Sequence, residues 1–462
     1  METIVTEILE IIKGAKDSIS REEQIRSYFE KLACRAVSEA LERIDKELAA
    51  QYADKGWHVE RLDSRTVQAS YGSIQIRRRR MKKKGKDGLY PLDKELGIRP
   101  YRRYTAYMEY VIAQIAAKTV YRVTAAAVNL LTPITMSHQQ VSRVVKQAGE
   151  TYIAWEILQG TCDPMEKTEL GCPEVLYIEG DGLMLHGQKK KQKELHRFQI
   201  AEGVQENGSR RELVGTRYVA DFSHEKAKDS LLHYLGCHYD LSNTVVLSNS
   251  DGGAGYSCAV FEEILGKVGR HEHFRDWYHV QRKCKERLPW ANRELRKKLN
   301  RALKKHDREN LMLVLDTLES MAKDEHQTEQ VQLLRGYLER NWTYLASLEQ
   351  RGLGEYSKLL GTCESNHRLY SYRMKKQGRR WSQDGGEAMV KIITGLKNGD
   401  LREAMAAKAE LFNPKPGRDF RGAVRRALKK SKGSVHEGVR HGKITVSAPM
   451  SSAIGQLSKC FA

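Results

Sequence analysis

Two short blocks hold the residues best suited to chemistry. In "VLYIEGDGLML", Val175 to Leu185, an apolar run ends on Asp181-Gly182 and then resumes; in "TVVLSNSDGG", Thr244 to Gly253, another ends on Asp251-Gly252-Gly253. A lone Asp after an apolar run is ordinarily a turn residue, because its carboxylate bonds its own backbone and Gly takes the strained dihedrals. Two such strand ends also read as a pair. If the strands lie side by side, Asp181 and Asp251 share one sheet edge, where their charges repel unless a cation sits between them. Carboxylate oxygens suit Mg2+ or Mn2+, and a two-metal site stabilises the attacking and leaving oxygens of an in-line displacement at phosphorus. A third acid would complete the cage. Glu364 is the choice, at the start of the helix that follows a long helical block; position alone leaves Glu355 and Glu387 open, and the plainer reading of Glu364 is an ion pair with Arg368 one turn on.

The elements that must position these acids follow from patterning. A strand at Val175 to Glu179 precedes the strands "HRFQIAEGVQ" and "ELVGTRYVADF", joined by the turn signal Glu206-Asn207-Gly208. The helix "HEKAKDSLLHYLGC" crosses to "TVVLSNSD", and "AGYSCAVFEEILG" crosses to "HEHFRDWYHV". Three meandering strands followed by two helix-linked strands is the order of a ribonuclease H-like sheet, and the crossovers favour parallel pairing of the late strands. From Val280 to about Gly361 the pattern is helical throughout. The expected fold is an α/β ribonuclease H-like core with an all-helical insertion, preceded by a mostly helical DNA-binding region with a basic β-hairpin and a helix-turn-helix. The boundaries read as 1–60 helical, 61–105 basic hairpin, 106–170 helix-turn-helix, 171–280 first part of the core, 281–360 insertion, 361–412 closing helices and 413–462 basic tail.

Charge points to the partner. The 462 residues carry 79 Lys and Arg against 59 Asp and Glu, and a formal charge of +20 favours a polyanion, nucleic acid first. Between Tyr71 and Tyr104 lie 12 basic and 3 acidic residues, with Arg77, Arg78, Arg79, Arg80, Lys82 and Lys83 on strand-like sequence, so phosphate contact competes with an ordinary solvated face. The tail repeats the theme, with ten basic residues from Lys415 to Lys443 against Asp419 and Glu437. In "MSHQQVSRVVKQAGE", Ser137 and Gln140 form a capping box and Val141, Val144, Val145 and Ala148 share a helical face. A recognition helix there would offer Gln139, Gln140, Ser142 and Arg143 to DNA, whereas the plainer reading is a helical hairpin. Eight scattered cysteines without a C-x-x-C pair read as free thiols in a reducing compartment. His271, His273, His279 and Cys284 lack the paired spacing of a zinc site. No signal peptide or membrane-length apolar run is present, so the expectation is a cytoplasmic protein without a membrane partner.

The blocks "YIEGDG", "SNSDGG", "RDWYH" and "CESNHRLYSYRMKKQGRRWSQDGG" resemble those of the bacterial ISLre-type insertion-sequence transposases, relatives of the Mutator-like group long held as an uncharacterised family. The resemblance covers most of the chain, including "YGSIQIRRRR", and is most specific around Glu364, Met374-Lys375, Gly378 and Trp381-Ser382. It implies a DDE triad of Asp181, Asp251 and Glu364 holding two Mg2+ or Mn2+ ions, with Asp276 and His279 as a D-x-x-H element, here around Trp277-Tyr278 where an aliphatic or Phe pair is commoner. Arg373, Lys375 and Lys376 would then face a phosphate chain, and Trp381 would stack on a base or fill the core. The implied activity is binding of terminal inverted repeats, strand hydrolysis at each end, and transfer of the freed 3' hydroxyl to target DNA. The resemblance also implies a homo-oligomer on paired ends, nucleoid-associated when bound. A non-catalytic DNA-binding regulator or domesticated remnant, and a host nuclease on the same core, are the alternatives.

Overall fold

The computed structural model describes residues 2–159, 170–188, 192–208, 210–356, 362–376 and 379–407. The tail expected to be basic lies outside them. At the N-terminus, α1 (Glu2–Gly14) leads into the long α2 (Ser18–Asp54), which Asp17 caps by accepting the Ser20 N–H at 2.7 Å. One stripe of α2, with Val37, Leu41, Ile44 and Leu48, packs on Val67, Ile74 and Ile76 of β1 (His58–Ala69) and β2 (Gly72–Lys83). With β3 (Lys86–Leu89) these strands make a three-stranded antiparallel sheet. The basic hairpin therefore begins at His58, ahead of the expected boundary, gains a third strand, and ends at Leu89, well short of 105. The first half of β1 is exposed on both faces, so it carries no alternating apolar signal to announce a strand.

After α3 (Pro91–Leu96) come α4 (Ala106–Lys118), α5 (Tyr121–Leu131) and α6 (His138–Gln159). The capping box at the head of α6 is reciprocal: Gln140 N–H donates to Ser137 Oγ at 3.3 Å, and Ser137 N–H to Gln140 Oε1 at 2.6 Å. Val141, Val144, Val145 and Ala148 are all buried. The connection 132–137 is longer than the turn of about three or four residues in a DNA-binding helix pair.

The central sheet is built from β4 (Val175–His186), β5 (Gln192–Ala201), β8 (Arg217–Asp221), β9 (Val245–Ser250) and β10 (Arg270–Arg275), in the order β10-β9-β4-β5-β8. β4, β5 and β8 meander antiparallel, while β9 and β10 run parallel to β4. The long strands read from sequence each divide in two. A separate ribbon of β6 (Gly203–Asn207) and β7 (Arg210–Val214) branches off at Glu202 and at Gly215, whose φ is +61°. α7 (His224–His238) and α8 (Cys258–Leu265) make the crossovers and bury Leu231, Leu235, Phe261 and Ile264 against Leu176, Ile178, Phe198 and Val246 of one face.

Beyond β10, α9 (Trp277–Arg287), α10 (Arg293–Lys305), α11 (Arg308–Ser320) and α12 (Glu325–Asn341) enclose their own core around Leu299, Leu303, Leu315, Leu334 and Leu338. The chain then returns to the second face of the sheet, where Leu348 and Leu353 pack on Tyr177, Leu247 and Phe274. α13 (Thr362–Met374), α14 (Gln383–Asn398) and α15 (Leu401–Ala406) close the fold. They share one core with α4 to α6 and with Leu183, Leu185 and Leu195 of the sheet. The helices expected to form a separate DNA-binding unit are thus fused to the central body. The join is tight: a Cβ at Gly149 of α6 would lie 2.4 Å from the Cα of Ala388 on α14. Among the described residues, no helix is long and apolar enough to cross a membrane.

Lys391 of α14 is 5% exposed and pairs with Glu156 of α6 at 2.8 Å and with Asp221 of β8 at 3.4 Å. Removing one member of a buried set leaves the others uncompensated, which costs about 3–5 kcal/mol. Lys391→Ala is expected to lower unfolding free energy by that amount in urea denaturation, far more than an exposed lysine such as Lys46→Ala.

Candidate active site

Register brings the acids together. Gly180 of β4 stands beside Ser250 of β9, and Ser250 beside Arg275 of β10, so Asp181, Asp251 and Asp276 each occupy the next position on three adjacent parallel strands or their ends. The Asp276 N–H donates to the Ser250 carbonyl at 2.8 Å, extending the ladder by one step. Each carboxylate is held by a local backbone donor: Gly182 N–H to Asp181 Oδ1 at 2.7 Å, Gly253 N–H to Asp251 Oδ1 at 2.8 Å, and Tyr278 N–H to Asp276 Oδ1 at 2.7 Å. β4 runs on through Asp181 to His186, so Asp181 is a mid-strand residue and not the turn that its Asp-Gly suggests, whereas Asp251 does follow the end of β9. In both cases a backbone N–H fixes the carboxylate's direction.

Asp276 also caps α9, and is 6% exposed, as is Asp181. Burial pushes the Asp276 carboxyl above the usual carboxylate range; the Tyr278 and His279 N–H groups and the His279 ring oppose this, and the neighbouring Asp181 charge reinforces it. Buried like charges at one edge are what a hard divalent cation would relieve, and the oxygen-only donor set fits Mg2+ or Mn2+.

Glu364 lies in the first turns of α13, a helix that packs against β4; its side chain is outside the described residues. Further along α13, the ring of Tyr370 lies 5.6 Å from the guanidinium of Arg197, the β5 residue paired in register with Asp181. Placement separates the two alternatives. Glu355 precedes Tyr356, which bonds Glu174 just ahead of the far end of β4. Glu387 bonds Gln383, which meets Lys193 near the β4–β5 turn.

Three groups went unnoticed in the sequence. Arg275 lies over the turn after Asp251, its guanidinium filling the space where a Cβ at Gly252 would stand, and the φ of +85° there favours glycine. Tyr337, on α12 of the insertion, is close enough to Arg275, Asp251 and Asp276 to feel their charges, and its hydroxyl is buried without a hydrogen-bond partner. Burial pushes that hydroxyl up to about 12. Beside them, Asn249, Phe274, Arg275, Trp277 and Tyr344 line a cavity of about 280 Å3 between core and insertion. Tyr337 falls on the helical spacing of Val331, Leu334 and Leu338 and reads as core; only its place in the fold reveals it.

The nucleic-acid contacts divide. Arg77, Lys82, Gln139, Arg143, Lys375 and Lys376 are exposed, and Gln140, Ser142 and Lys83 are half-buried. Arg78 and Arg79 are spent on internal partners, Asp93 and Asp45, and Arg80 pairs with Glu60 at 2.9 Å. Arg373 is a correction: it is 4% exposed, donates Nε–H to the Ala116 carbonyl at 2.7 Å, and lies over Trp381 and Tyr121. Burial lowers its pKa to about 10. Lying inward beside Met374, it joins helices rather than facing a phosphate chain. Trp381 is likewise core, with Nε1–H on the Met374 carbonyl at 2.9 Å.

Because Asn still caps a helix, Asp276→Asn removes charge without removing the cap. In chelator its thermal midpoint is expected to rise by about 1 °C, for roughly 1 kcal/mol of relieved repulsion and desolvation in a chain of this length. Mn2+ should stabilise the wild type and do so less in the variant. A lowered midpoint in chelator would mark Asp276 as an ordinary cap.

A model of the uncharacterised protein family UPF0236 matches residues 19–410. A Streptococcus gallolyticus protein named "UPF0236 protein in vanSb 3'region" is 34% identical over 463 residues, covering 99% of each chain. This chain therefore belongs to the uncharacterised family UPF0236.

Proposed function

We propose that the chain is a metal-dependent DNA transposase acting through a ribonuclease H-like core, in the cytoplasm and on the nucleoid, as a homo-oligomer on paired ends. One observation carries the reading: Asp181, Asp251 and Asp276 stand one step past a continuous register line on three parallel strands, with the helix that bears Glu364 packed against β4. The strand order, the two helical crossovers and the helical block inserted after β10 support the same core. The basic surface supports a DNA partner.

Asp181, Asp251 and Glu364 would hold Mg2+ or Mn2+, which when bound favours the attacking oxygen and steadies the leaving one in an in-line displacement. The chain's own residues do the rest. Backbone donors fix the carboxylates, so no reorganisation is needed when phosphate arrives. Arg275, lying on the Gly252 turn, places positive charge beside the phosphodiester. His279, oriented by the neighbouring Asp276, offers a ring nitrogen to a phosphate oxygen or water. Water attacks the phosphodiester first, breaking its P–O3' bond to leave a 3' hydroxyl and a 5' phosphate; that hydroxyl then attacks a target phosphodiester, forming a new P–O3' bond as the target strand's 3' oxygen leaves with a proton, and no side chain becomes covalently attached.

The test is strand cleavage of duplex carrying the sequence that borders the reading frame, with Mg2+ or Mn2+. Asp181→Ala and Glu364→Gln are expected to lose cleavage by about 1,000-fold or more, in the range of removing a charge-stabilising group, with DNA affinity within about twofold. Retained cleavage would discredit the site. Binding without cleavage by the wild type would favour a DNA-binding regulator, and cleavage indifferent to end sequence a host nuclease. For the surface, the double change Lys375→Ala with Lys376→Ala is expected to lower the salt slope of binding by about 2 if both meet phosphates. Arg373→Ala should instead lower stability and leave that slope unchanged.

A further inference from the structure

A second group of metal-ligating side chains lies outside the acidic edge. Cys258 opens α8, Glu262 stands one turn later on that helix, and His271 lies on the edge strand β10; one donor atom from each falls within 4.8 Å of the other two. None belonged to a paired-ligand motif. Of the histidines weighed as zinc ligands from sequence, only His271 is in this group: His273 is buried against Ser248, Cys284 lies in the core of the insertion, and His279 is beside Asp276.

We propose that Cys258, Glu262 and His271 form a site for a zinc-class cation, separate from the magnesium-class acids. Burial and the Glu262 carboxylate push the Cys258 thiol up to about 11, so a cation would have to displace its proton; the donors would then be a thiolate, a carboxylate and an imidazole, a set that selects zinc or its cobalt surrogate over magnesium. With bonds of about 2.0–2.3 Å, donors around such an ion stand roughly 3.5 Å apart; Cys258 Sγ is already 3.4 Å from Glu262 Oε1. The imidazole is braced from behind, since His271 Nε2 is 2.7 Å from Ser248 Oγ, which leaves Nδ1 for the cation and supplies the outer-shell contact that orients metal-binding histidines. Glu262 is exposed and the other two are half-buried, so an ion enters from solvent and a fourth position remains for water.

Placement gives the site its purpose. Cys258 follows the Asp251 turn on the way into α8, and His271 precedes Asp276 on β10. A cation held by both ties the helix that follows Asp251 to the strand that runs into Asp276. Tyr344, at the base of the insertion, bonds Cys258 and lies under Arg275, so the tie reaches the insertion as well. The cation is a clamp on the geometry of the acidic edge and takes no part in phosphoryl transfer.

The test is titration of the chelator-treated full-length protein with Co2+ in excess Mg2+. The expected result is a near-ultraviolet thiolate-to-cobalt absorption band, displaced by Zn2+, absent in Cys258→Ser, at least about tenfold weaker-binding in His271→Gln, and unchanged in Asp181→Ala, which separates this site from the proposed catalysis. Glu262→Gln, a surface change that leaves the core intact, should weaken Co2+ binding and remove most of the thermal stabilisation by Zn2+. No band in the wild type, an equal band in Cys258→Ser, or Glu262→Gln with wild-type cobalt affinity and zinc stabilisation would each overturn the proposal.

Discussion

Carboxylates crowded at the end of a parallel sheet are the constraint around which the rest of this molecule is arranged. Parallel pairing of β4, β9 and β10 sets the spacing, because one register line through Gly180, Ser250 and Arg275 forces the next residues onto a common edge. The crossover helices α7 and α8 make that pairing possible, and Phe198, Phe261 and Val246 beneath them secure it. Repulsion at the edge opposes folding; the apolar faces on both sides of the sheet and the local backbone bonds to each carboxylate offset it. Like-charge proximity of this kind, with a carboxyl pushed above its usual range at Asp276, concentrates at functional sites.

The helical insertion is more than an appendage to this edge. It leaves the sheet directly after Asp276, folds around its own leucine core, and sends Tyr337 back to the acids and Tyr344 back to Arg275 and Cys258. The 280 Å3 cavity lies where the two bodies meet. Any movement of the insertion therefore acts on the surroundings of Asp251 and Asp276.

Legibility from the sequence followed how local the determining physics was. Asp181 and Asp251 stand out because an Asp-Gly interrupts each apolar run, although β4 continues through Asp181 to His186 where a strand end was expected; the cap and buried face of α6 stand out because they repeat within a few residues. The alternatives Glu355 and Glu387 were separated only by tertiary placement, at opposite ends of β4 and its hairpin. Charge was the least transferable signal. The run Arg78 to Arg80 looks like a phosphate-binding surface until Asp45, Asp93 and Glu60 come to meet it from distant positions, and Arg373 looks solvated until Ala116, Tyr121 and Trp381 surround it. Cys258, Glu262 and His271 were hidden for the same reason, since a strand and a helix must pack before their donors share a space.

Distant acids that converge to share hard divalent cations would show it in a crystal of the full chain grown with Mn2+ and measured for anomalous scattering. A manganese peak bonded to oxygens of both Asp181 and Asp251, with the Glu364 carboxylate turned toward it, is expected. Well-ordered density with these acids turned apart, and no manganese between them at saturating concentration, would contradict it.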